Sequence, residues 1–115
     1  MGEARTDLRS TLARWELSRL SDEAELVLSE LMANALRHAR VPQRSRIETR
    51  YVRGERAVRI EVHDASDVLP QVRNPVADDE GGRGLAFVDA LTAGRWGVAP
   101  SGDGGKAVWA VVGDG

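Results

Sequence analysis

The chain contains no cysteine, and that absence removes disulfides, thiolate zinc sites and thiol nucleophiles together. Cytoplasmic residence fits this best. No apolar run approaches the roughly 18 residues of a membrane span, and the first residues lack the apolar core of a signal peptide, so no membrane association is expected. Positive charge is not in excess either: 16 Lys and Arg stand against 18 Asp and Glu, a formal net charge of −2. Phosphate-backbone binding draws on a clear basic surplus, so nucleic acid is not expected as a direct partner. No repeat is visible, and no HExxH-like spacing recruits His38 and His63 to a metal. What remains, over residues 1–115, is one domain large enough for a single core.

Apolar periodicity then orders the chain. From Thr6 to Leu20, Leu8, Leu12, Trp15 and Leu20 recur at helical spacing, and Ser21 to Ala24 offers a cap for a second helix from about Asp22 to Ala39. Val41-Pro42 is expected to end it, because proline disfavours helical geometry in the residue before it. RIETRYV and AVRIEVH alternate around RGER and predict a hairpin with Gly54 in the turn. The stretch from Asp64 to Gly84 has prolines at 70 and 75 and no period of either kind, and a loop of that length in a compact domain predicts a lid. GLAFVDAL predicts a short helix with Leu85, Val88 and Leu91 inward, RWGVA a strand, and KAVWAVV a buried strand.

Chemistry concentrates at three places. In SELMANALRHA, Ser29 to Ala39, an apolar stripe shares its helix with Glu30, Asn34, Arg37 and His38, which at about 100° per residue fall on one polar side. Taken singly, each of the four reads as readily as a solvated charge, a satisfied histidine or an idle amide. In EVHD, period-two alternation puts Asp64 on the face of Val58, Ile60 and Val62, so a carboxylate ends the core face of a strand. Such a residue either starts a turn or accepts a ligand N–H at a pocket floor. GGRGL, at 81 to 85, places glycines where a helix N-terminus attracts an anion.

Taken in order, ELMANALRHA, EVHDAS and GGRGL, separated by a proline-bearing loop, resemble the N, G1 and G2 boxes of the ATPase fold shared by gyrase, heat-shock chaperones and sensor histidine kinases. LARWEL, Asp64 to Pro75 as DxSxxLPxxRxP, RWGV and GKAVWA are similar to the small RsbW-like branch, the anti-sigma-factor serine kinases. The resemblance covers nearly the whole chain. It implies an α+β two-layer sandwich: a mixed sheet of about four strands, covered on one face by about three helices, with a long ATP lid. It implies Mg²⁺ on Asn34, a general base at Glu30, Arg37 near phosphate and His38 at the pocket rim. By the same resemblance Asp64 accepts from the adenine amino group, and Gly82, Arg83, Gly84 and Leu85 lie at the lid end beside the phosphates.

Three departures accompany the resemblance. Asp64-Ala65-Ser66-Asp67-Val68 stands where the family has DxGxG, so side chains occupy places where backbone normally nears the nucleotide, and reduced affinity is expected. Ala107 stands where a threonine often supports the adenine-binding carboxylate, with a water or Ser66 as the expected substitute. A full strand before the first helix is not seen, so an open sheet edge is expected, inviting another chain or a homodimer. The function implied is an ATP- and Mg²⁺-dependent regulator that binds a sigma factor or an anti-sigma-factor antagonist and phosphorylates a Ser or Thr of the antagonist. The alternatives are a non-catalytic interaction module of the same fold, with weak or no ATP binding, and the ATP-binding domain of a larger sensor kinase.

Overall fold

The computed structural model describes residues 2–37, 47–64, 81–100 and 105–114. They form α1 (Gly2–Arg14), a 3₁₀ turn (Ser18–Leu20), α2 (Ser21–Arg37), β1 (Ile47–Arg53), β2 (Ala57–Asp64), α3 (Gly81–Thr92), β3 (Trp96–Pro100) and β4 (Lys106–Gly113). The first helix stops earlier than its apolar spacing predicts. Glu16 takes a left-handed φ of 60°. The Leu17 N–H thereby reaches back to the Leu12 carbonyl at 2.8 Å, and the turn delivers Leu17 and Leu20 to the core.

α2 buries one stripe, Ala24, Val27, Leu28, Leu31 and Ala35, at the i, i+3, i+4, i+7 spacing of an amphipathic helix. The fully buried Leu28 and Leu31 each contribute about 1.5 to 3 kcal/mol relative to exposure. α1 leans on it through Leu8 and Leu12 and through Arg9, whose Nη2 lies 3.0 Å from Asp22 Oδ1 and whose Nε contacts Glu25. The hairpin forms as its alternation requires, with the Gly54 N–H donating to the Ala57 carbonyl at 2.8 Å. Tyr51 ties β1 to α1 by donating to the Ala4 carbonyl, and burial raises its phenol pKa.

The strand order is β1-β2-β4-β3, antiparallel at every pairing. The expected two-layer α+β sandwich is present, but its sheet is antiparallel rather than mixed. β2 and β3 do run parallel, connected by way of α3, yet β4 lies between them and pairs antiparallel with both, so no parallel ladder forms among the described residues. Val58, Ile60 and Val62 of β2 and Val108, Ala110 and Val112 of β4 face the helices and join α2 and α3 in one core.

The opposite face of the sheet carries Arg59, Glu61 and His63 beside Trp109. Arg59 lies 4.5 Å from the centre of the Trp109 ring, and the indole extends over Gly97, where an added Cβ would come within 2.8 Å of it. Glycine at 97 is thus the space the indole occupies. No helix among the described residues is long and apolar enough to cross a membrane.

Candidate functional site

The antiparallel register gathers the ends of several elements. Asp64, the last residue of β2, lies opposite Ile47, the first of β1, and Lys106, the first of β4; Pro100, the last of β3, also pairs with Lys106. At the other end of the sheet, Leu20 and Glu23 beside the start of α2, Leu91 near the end of α3, and Gly113 line one crevice. α2 therefore finishes, and α3 begins, at the Asp64 end. The last turns of α2 with Glu30, Asn34 and Arg37, the carboxylate ending β2, and the first turn of α3 share that end of the sandwich.

Within it, Glu30 is half-buried and Asn34, one turn later, is 2 % exposed. Asn34 points inward because its neighbours Leu31 and Ala35 belong to the core stripe. Arg37 is the last residue of α2. Gly82, Arg83 and Gly84 lie in the first turn of α3, whose leading N–H groups have no partner within the helix. Leu85 is fully buried in the core, so it anchors that turn through packing. His38, Ser66, the expected helix end at Val41-Pro42 and the lid expected between Asp64 and Gly84, up to residue 80, lie outside the described residues.

Asp64 is buried, as alternation along β2 requires, and its charge is answered from the neighbouring strand. Lys106 Nζ lies 3.2 Å from Oδ1 and 3.1 Å from Oδ2, with the side chains only 3 % and 4 % exposed for Lys106 and Asp64. Position 107, where the resemblance places a supporting threonine, faces away from Asp64. Ala107 pairs with His63 and so projects to the opposite face, while 106 shares the face of Asp64.

Lys106 is the functional candidate that local sequence patterns miss, because its partner is 42 residues away. One signal was available: of the 16 Lys and Arg in the chain, Lys106 is the only lysine.

The same register separates His63 from this end of the core. It lies on the helix-free face, with Nε2 2.8 Å from Glu61 Oε1, while Arg59 Nε donates to Glu61 Oε2 at 2.8 Å. Burial acts to raise the pKa of Glu61, but the bonds from His63 and Arg59 together outweigh it and leave the carboxyl below its ordinary value. No group of three or more His, Cys, Asp or Glu among the described residues is placed to hold a metal. A Mg²⁺ ion shared with phosphate oxygens needs few protein ligands, and the Asn34 amide oxygen is of the hard type it takes.

An antiparallel sheet backed by helices, with a buried carboxylate at a strand end and a glycine-bearing helix start at the same end, defines a class of site. It suits a ligand that offers an N–H group to the carboxylate and anionic oxygens to the helix. The chain belongs to the histidine kinase-like ATPase domain family, whose model matches residues 1–111. Membership implies ATP as the ligand, and the donor set fits it. Comparison with curated proteins finds none that matches.

Proposed function

We propose that the protein is an anti-sigma-type regulator that binds Mg-ATP and transfers the γ-phosphoryl group to a Ser or Thr of an anti-sigma-factor antagonist. The observation that carries this reading is the convergence of α2, β2 and α3 at one end of a histidine kinase-like ATPase domain, with Glu30, Asn34 and Asp64 on the elements that meet there. The RsbW-like stretches LARWEL, RWGV and GKAVWA support the finer assignment.

In this reading Asp64 accepts from the adenine amino group, and the first turn of α3 with Arg37 receives the phosphates. Mg²⁺, when bound, offsets phosphate charge, with Asn34 as its protein ligand. Glu30 takes the proton of the attacking hydroxyl as the new O–P bond forms and ADP departs with the electron pair of the broken one. The partner is the antagonist, the sigma factor or both, and a homodimer through the sheet edge is compatible with either.

A second reading is a non-catalytic interaction module of the same fold. It is favoured by the absence of both glycines from the Asp64-Ala65-Ser66-Asp67-Val68 stretch. Calorimetric titration with ATP and GTP, with and without Mg²⁺, separates the two. The kinase reading expects Mg²⁺-dependent binding that prefers ATP. Asp64→Asn should weaken it by about 1.5 to 3 kcal/mol, the range for a hydrogen bond to a charged group. With labelled ATP and a candidate antagonist, Glu30→Ala should keep the nucleotide and lose transfer by about 10² to 10⁴ in rate. GTP bound as tightly as ATP, or full transfer by Glu30→Ala, contradicts it.

A further inference from the structure

We propose that Lys106 is a positioning residue of the nucleotide site: its ammonium, held against both oxygens of Asp64, fixes the orientation of that carboxylate as the acceptor for the purine amino group. The proposal rests on the ATP reading above and names a residue that reading does not require. Its basis is the cross-strand pair itself, Nζ 3.1 and 3.2 Å from the two carboxylate oxygens, with both side chains almost wholly buried.

Stability is a poor explanation for such a pair. Desolvating two charges costs about as much as their attraction returns, and apolar residues of similar volume often serve a core equally well or better. The site end is where a charge has another use. Contacts from one ammonium to both oxygens fix the plane and direction of the Asp64 carboxylate at the strand end. A carboxylate can accept about four hydrogen bonds, so one ammonium does not exhaust it.

Lys106 therefore decides how Asp64 is turned toward a ligand. Ile47, opposite Asp64 on β1, is apolar, and Glu61 and His63 lie on the other face of the sheet. Among the described residues, α2 brings Glu30, the amide of Asn34 and Arg37 to this end, so Lys106 is the only charge the sheet turns toward Asp64.

The test uses the full chain and the variants Lys106→Met, Lys106→Arg and Asp64→Asn, each checked for folding by circular dichroism. In calorimetry, Lys106→Met should bind ATP about 10- to 100-fold more weakly than wild type. Lys106→Arg, which restores the charge, should recover most of the affinity.

A folded Lys106→Met that binds ATP as wild type does, while Asp64→Asn is weakened, overturns the lysine assignment alone. Wild-type affinity in Asp64→Asn overturns the adenine contact and the lysine role with it. If Lys106→Met does not fold, wild type still decides. Nitrogen-labelled lysine gives a single Nζ signal, because the chain has one lysine, and ATP but not inorganic triphosphate should shift it. No shift at saturating ATP overturns the proposal.

Discussion

Glu61 shows how a single side chain on the helix-free face is held in its charged form. Burial works against the carboxylate, yet bonds from His63 and Arg59, each 2.8 Å long, lower its pKa overall. A group whose folded pKa is depressed adds stability above its unfolded pKa and loses it as pH falls through the folded value. The contribution of Glu61 should be complete at pH 7 and fade below about pH 4.3, the ordinary glutamate value. Urea unfolding of Glu61→Gln should show a loss of about 1 to 2 kcal/mol at pH 7 that shrinks near pH 3. An equal gap at both pH values would mean that shape, not charge, is what Glu61 supplies.

At the scale of elements, the end of α1 is set by a residue badly suited to it. Glu16 occupies a left-handed conformation at φ 60°, which costs a side-chain-bearing residue roughly 1 to 2 kcal/mol and glycine almost nothing. Glu16→Gly should raise stability by about 0.5 to 1 kcal/mol after the extra freedom of glycine in the unfolded chain is charged against it. Thermal unfolding would reveal it, and a lower midpoint would show that the Glu16 side chain offsets the strain.

No sequence signal announces that turn, because leucines continue at helical spacing through Leu20. Elements with a strong local pattern were legible: the α2 stripe, the Gly54 hairpin, and Asp64 as one more step in the alternation of β2. The order of the sheet and the partner of Asp64 were not. They depend on β4 inserting between β2 and β3, a pairing across more than 40 residues that local periodicity does not encode. KAVWAVV read simply as buried, and only its register with β2 separates Lys106 from Ala107.

For the whole molecule, the site is made from the ends of elements whose middles form the core. Val58, Ile60 and Val62 lead into Asp64, Val108 follows Lys106 on the same face, and Leu31 and Ala35 flank Asn34. A ligand gripping those ends binds the folded chain and not the unfolded one, so it must raise global stability by mass action. Mg-ATP at about 100 times its Kd should add about 2.7 kcal/mol. For a domain of this size that is a rise in Tm on the order of 10 °C. Asp64→Asn should lose most of the rise at the same ATP concentration, and GTP should give less than ATP. Glu30→Ala should keep the full rise, because a proton acceptor for the attacking hydroxyl acts on transfer and not on binding. Inorganic triphosphate provides the control for anion binding by α3 alone. An equal rise with triphosphate, or one that survives Asp64→Asn undiminished, would show that the buried carboxylate takes no part in holding the nucleotide.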